Sequence, residues 1–390
     1  MARCVTLLAL ILLLPIGHAA DSPEPPVVNA RSWLLVDHNS GRRLASRKSD
    51  RRVTPAQFTK LMVAYIALNA IKNGELAADT SILVSQKAAQ TSGPRMFASS
   101  SSRVTAQELL KAMIVGGAND AAIALAEHIG SDEQAFVSMM NNEAVRLGLQ
   151  NTSFRDVTGN RRDRQYTNAD DLAVLVKNII NDHPQHYQWF SQREFIYNGI
   201  TLYNRNALLW RNDNVDGLMA TQNERDGYHL IVSGKRDNMR LSAIVLSAPN
   251  ERSMITAGSE LLKYGFKQFE TRKLYSGKKG AVNMRVWLGD TDIVPVGLKK
   301  DLYVTLVRGE FDDLRATLSL TGPPYAPIER GQAMGTLSLA TQDKSIGEYE
   351  LVSLSSVAEG GFFSRIFDRA EMWLRDVPDP GLSTQVNQKQ

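Results

Sequence analysis

The chain of 390 residues contains a single cysteine, Cys4. That excludes an internal disulfide framework and any zinc site built on several thiolates. Charge of one sign is also scarce. The 45 Lys and Arg against 41 Asp and Glu leave only +4, and nucleic-acid binding calls for a clustered basic face, so no nucleic-acid partner is expected. Beyond the N-terminus no apolar run reaches the ~18 residues of a spanning helix. Glycine-rich phosphate loops and internal repeats are absent. Among six histidines, His183 and His186 flank Pro184 without acidic or Cys partners at ligand spacing. Neither a metal nor a cofactor is therefore expected. With 43% apolar and 22% charged residues, the composition is that of an ordinary globular protein, and its length suggests two or three domains.

The N-terminus is the exception to the missing hydrophobic runs. Arg3 precedes an apolar core from Val5 to Ile16, and Gly17-His18-Ala19 offers small residues at a cleavage point. Residues 1–19 thus read as a secretory signal peptide, too short in its core to span a bilayer comfortably. Cys4 lies before that core, so the exported chain would carry no thiol.

A Pro-rich lead-in at 21–28 is followed by strand candidates at Ser32–Asp37 and Arg42–Ser46. Thr54 and Pro55 suit the N-cap and first position of a buried helix running to Asn73, stopped by Gly74. Capping boxes at Thr105–Glu108 and Ser131–Gln134 open further helices, and others are expected over 119–128 and 167–180. From Ile196 the period shifts toward two, with strands at Tyr228–Ser233 and Leu241–Ser247 and a helix over Met254–Phe266. After Thr271 the alternation of Leu302/Val304/Leu306 and Leu314/Ala316/Leu318/Leu320, with Pro and Gly turns, predicts a small all-β domain over 272–356. Phe362, Phe363, Ile366, Phe367, Ala370, Trp373 and Leu374 share one helical face within 357–376, a candidate membrane anchor at residues 360–375. Residues 377–390 read as a disordered tail.

The blocks SWLLVDHNSGRRL, TPAQFTKLMVAYIA, ELLKAMIVGGANDAAIALAEHIG, MMNNEAVRLGLQNTSF, YNRNALLW and VDGLMATQNERDGYHLIVSG occur in this order. In them the chain resembles the D-alanyl-D-alanine carboxypeptidases of the penicillin-binding protein 5/6 type, from about Val28 to Trp373. The resemblance implies an α+β fold: a penicillin-binding/β-lactamase-like transpeptidase domain over 20–271, with an antiparallel sheet and a helical block. It also implies a β-rich stalk domain and an amphipathic anchor behind it.

The family's chemistry uses three motifs, S-x-x-K, S-x-N and K-T-G. The first aligns with Gln57-Phe58-Thr59-Lys60. Lys60, the family's general base, is kept, but an amide is no nucleophile for acyl transfer. Thr59 lies ~200° around the helix from Gln57 and points elsewhere. The second aligns with Gly117-Ala118-Asn119: the serine is lost and the asparagine kept. The third falls on Met219, Ala220 and Thr221, where the lysine charge, the threonine hydroxyl and the glycine are all replaced. Arg205 resembles the family arginine that helps hold a terminal carboxylate, a task suited to a bidentate guanidinium. A structural strand arginine is the alternative. Gln57 also completes a Thr54-x-x-Gln57 box and would cap the helix start, leaving Lys60 to find an acceptor such as Asn119 or to lower its pKa.

Five motif positions differ, and residues that act as a unit lose rate together. A periplasmic pseudoenzyme is the expectation. It would bind peptidoglycan stem peptides or another cell-wall protein and could lie on the inner-membrane surface. An active serine-type D-Ala-D-Ala carboxypeptidase with altered motifs, trimming stem peptides, is the alternative. A purely structural periplasmic adaptor is the third reading.

Overall fold

The computed structural model describes residues 23–160, 163–342, 344–375 and 377. The expected signal peptide, with Cys4 and His18, lies outside the described residues, as does nearly all of the expected tail.

β1 (Ser32–Asp37) and β2 (Arg43–Arg47) open the chain. A 3-10 turn at Ala56–Phe58 leads into α1 (Thr59–Lys72). A short pair, β3 (Ser81–Leu83) and β4 (Arg103–Thr105), flanks the one-turn α2 (Gln86–Ala89). The helical block continues with α3 (Ala106–Gly116), α4 (Asn119–Gly130), α5 (Glu133–Arg146), α6 (Ala169–Asp182) and α7 (Pro184–Tyr187). β5 (Glu194–Tyr197) pairs with β6 (Ile200–Tyr203), and α8 (Leu208–Arg211) precedes the long strands β7 (Val215–Asn223), β8 (Gly227–Arg236) and β9 (Met239–Ala248). α9 (Glu251–Gln268) closes this part.

The five-stranded antiparallel sheet has the order β2-β1-β9-β8-β7, so β7 is an edge strand. One face packs on the helical block through Leu34, Leu218, Ile231 and Ile244, around an α1 that is buried nearly all round. The other face packs on α9 through Leu35, Val232, Val245 and Leu261. Alternation sends neighbouring strand residues to opposite faces, and this sheet is covered on both.

Several local expectations need correction. The helix expected from Thr54 begins at Thr59. Ala56 has φ +48, a left-handed value that breaks the helix path. Gln57 does not cap: the Thr54 N–H donates to Asp226 Oδ2 at 3.2 Å instead. The box at Thr105–Glu108 forms as read, whereas that of 131–134 moves by one residue. Asp132 caps α5 by accepting from the Ala135 N–H at 2.7 Å, and Ser131 is left-handed at φ +69. α6 starts two residues late because Asn168 is its cap, accepting from the Asp171 N–H.

Beyond α9, β10 (Phe269–Tyr275) pairs with β13 (Leu302–Val307). β11 (Gly280–Arg285), β12 (Ile293–Gly297), β14 (Arg315–Leu320), β15 (Ala333–Ala340) and β16 (Ser345–Ser353) form a sheet of order β11-β12-β16-β15-β14. Leu302, Val304 and Leu306 face its core as their alternation predicts. β14 does not follow suit. It is a free edge, and Leu318 and Leu320 stay 42% and 40% exposed.

A buried polar knot joins the two halves. Asp37, without solvent access, accepts from the Ser40 N–H and Oγ at 2.7 and 2.8 Å and from Thr271 Oγ1 at 2.9 Å. Arg42 Nη1 donates to the Thr305 carbonyl across the same joint.

α10 (Phe362–Leu374) docks on the β-rich half by its polar side. Glu371 takes a bidentate pair from Arg285, Asp368 accepts from the Leu288 N–H at 2.6 Å, and Met372 is buried against Trp287 and Leu288. Phe362, Phe363, Phe367 and Trp373 are left 68–82% exposed.

Candidate active site

The residues that align with the three motifs come from α1, the α3–α4 junction and the edge strand β7. The turn before α1 sets their floor. Ala56 and Gly159 pass so closely that a β-carbon on Gly159, itself at φ +82, would collide with the Ala56 backbone. Only glycine fits such an approach.

Gln57 follows that turn and reaches across to Gly117. A β-carbon placed on Gly117 would stand 2.5 Å from Gln57 Oε1. Gly117 ends α3 in the left-handed region at φ +69, which glycine enters without penalty. The larger residue at 57 and the smaller at 117 are therefore complementary in volume. The glutamine amide stands where a side chain at 117 would begin.

Lys60 lies one turn further along α1 and is 1% exposed. Its Nζ donates to the Thr158 carbonyl at 3.1 Å, not to Asn119. Burial pushes the ammonium down to about 7, with Arg205 adding to the effect and Asp156 and Asp120 opposing it. Desolvation outweighs the two carboxylates because it acts on the whole charged head. Both fates expected for Lys60, an acceptor and a lowered pKa, are met together. Thr59 is fully buried, its hydroxyl without a partner among the described residues.

Asn119 opens α4 and has no solvent access. Its Nδ2 donates to the Ser92 carbonyl at 2.6 Å, and its N–H to the Pro94 carbonyl at 2.7 Å. The amide that would hold a substrate backbone holds the chain's own loop. Asn119 Oδ1 is buried without a partner among the described residues.

Met219, Ala220 and Thr221 lie on β7, all at most 5% exposed. Met219 enters the helical-block core and Ala220 the α9 core. Arg205 sits in the loop after β6, exposed and outside any strand. It is near enough to Lys60 to depress its pKa. Sequence reasoning passed over Asp156, Thr158, Gly159 and the Ser92–Pro94 loop. Each acts through a contact distant in sequence, which no local pattern announces.

A family model described as "D-alanyl-D-alanine carboxypeptidase" matches residues 19–250, and one described as "Penicillin-binding protein 5, C-terminal domain" matches 269–359. The chain is 36% identical over 368 residues to D-alanyl-D-alanine carboxypeptidase DacC of Escherichia coli (strain K12), covering 92% of each. It is 34% identical to DacA of the same organism over 89% of this chain and 88% of that one. Among solved structures, penicillin binding protein 5 from Haemophilus influenzae superposes with a TM-score of 0.82 at 32% identity, covering 86% of this chain and 99% of that chain. Sheet, helical block and β-rich second half fit these relatives, and the chain belongs to the D-alanyl-D-alanine carboxypeptidase family.

Proposed function

We propose that this protein is a pseudoenzyme of the family, working at the cell wall without acyl transfer. The observation that carries the reading is the Gln57 amide standing against Gly117. Nucleophilic catalysis needs a hydroxyl or thiol beside a base. Lys60, though softened toward neutrality, has an amide at the position one turn before it. Met219 supplies no cation in the third motif position. What stays accessible is Arg205, whose guanidinium suits the terminal carboxylate of a peptidoglycan stem peptide. Asn119 drops out as a contact because it is fully buried.

Export to the periplasm follows the reading of residues 1–19. Attachment to the inner-membrane surface follows from the aromatic face of α10, which its docking contacts leave uncovered. Among the described residues no helix is long and apolar enough to cross a membrane.

The test is release of D-alanine from a soluble D-Ala-D-Ala peptide, paired with calorimetric titration of the same peptide. The reading expects binding that Arg205→Gln abolishes, and no release above the uncatalysed background. Turnover would sink the pseudoenzyme. Absence of binding would favour the adaptor reading, in which α10 and the β-rich half carry the role.

A further inference from the structure

An opening beside β7 takes in Arg205, Ala220 and Thr221 but not the other motif positions. A cleft of about 660 Å³ lies between the loop after β6, α8, the end of β7 and the start of α9. That volume is in the range of small-ligand sites. Gln57, Lys60, Gly117 and Asn119 do not line it. Ala220 and Met254 give it an apolar floor. Tyr203 and Trp210 line it as residues that are 62% and 44% exposed.

Several of its polar groups are planar. Arg205, Arg211, Gln222 and Glu251 line the opening, two cations against one anion. Thr221 also lines it, and its hydroxyl is buried without a partner among the described residues. A buried hydroxyl left unpaired costs free energy that a ligand can recover.

We propose that this cleft is a saccharide subsite for the glycan part of the cell wall, with a carboxylate-bearing amino sugar as its ligand. Pyranose rings present a face of C–H bonds and a rim of hydroxyls. Exposed aromatic faces match the first, since they offer large rigid area with little entropy to lose. Planar guanidinium and amide groups match the second, because each can bond two neighbouring oxygens. The surplus cation selects an acidic sugar over a neutral one. A peptide terminus would engage Arg205 alone and leave the aromatic wall and Arg211 unused. The inference rests on the cell-wall reading above; the cleft shares Arg205, Ala220 and Thr221 with the positions already described but does not involve Gln57, Lys60, Gly117 or Asn119.

The experiment titrates the folded protein with a peptide-free disaccharide of N-acetylglucosamine and N-acetylmuramic acid, followed by calorimetry and by tryptophan fluorescence. Binding is expected, with quenching of Trp210. Tyr203→Ala should weaken it about tenfold, and Arg211→Gln by a similar factor. Neither should move the melting temperature, since both side chains are exposed. A neutral chitin disaccharide should bind more weakly than the acidic one. Absence of binding, or binding indifferent to both substitutions, would overturn the subsite. A D-Ala-D-Ala peptide run in parallel separates the two readings. Peptide binding without disaccharide binding removes only the subsite, and the reverse removes only the stem-peptide site.

Discussion

Gln57 and Gly117 share one space. At φ +69 any side chain on residue 117 is strained by about 1 kcal/mol, and its β-carbon would press on Gln57 Oε1. Gly117→Ser should therefore destabilise the protein by roughly 2–3 kcal/mol. In the Gln57→Ser/Gly117→Ser double variant the contact term vanishes, so the combined loss should fall short of the sum of the singles by about 1 kcal/mol. Urea unfolding of the four proteins measures this, and strict additivity would mean that the two side chains do not share the space. Lys60 makes a second prediction. Its folded pKa of about 7 lies below the usual 10.5. The folded state thus binds fewer protons than the unfolded chain between these values. Lys60 costs increasing stability as pH falls from 10.5 to 7 and no more below that. Lys60→Met should stabilise by roughly 1–2 kcal/mol near pH 7, after the loss of its bond to Thr158, with the advantage shrinking toward about pH 10. An advantage that grows with pH would reverse the sign of the argument.

At the scale of elements, local chemistry was legible where one element supplies its own partners. The Thr105–Glu108 box formed because both of its bonds close within one turn. The start of α1 was not legible: Thr54 and Pro55 have the right chemistry, but Asp226 takes the Thr54 N–H and Gly159 admits the Ala56 backbone. Nor was the exposure of β14, because alternation predicts two faces without telling whether anything covers them. The hydrogen bond from Asn119 to the Ser92 carbonyl was not legible either, because it depends on a loop 27 residues away. α10 was read as amphipathic, and its docking by Glu371, Asp368 and Met372 settles which side faces away from the protein. Its arginines 365, 369 and 375 are matched by Asp368, Glu371 and Asp376, so lipid binding should be driven by apolar area rather than charge. Flotation with zwitterionic vesicles should carry the protein, change little with added salt, and fall severalfold in Phe363→Ser/Phe367→Ser. Loss of flotation at high salt would show an electrostatic contact instead.

Taken whole, the molecule keeps the family's architecture, while Gln57 stands against Gly117 and Asn119 is buried. The joint between the two halves is firm. Asp37→Ala would leave the hydroxyls of Ser40 and Thr271 without their buried acceptor and should cost about 2–4 kcal/mol. Limited proteolysis should then cut near Thr271 in the variant but not in the parent, and equal resistance would place the strength of the joint elsewhere. The central claim is that acyl transfer has been lost at Gln57. Intact-mass measurement after incubation with a penicillin addresses it most directly. The account predicts an unchanged mass even at long times and high drug concentration, and a stoichiometric covalent adduct would contradict it.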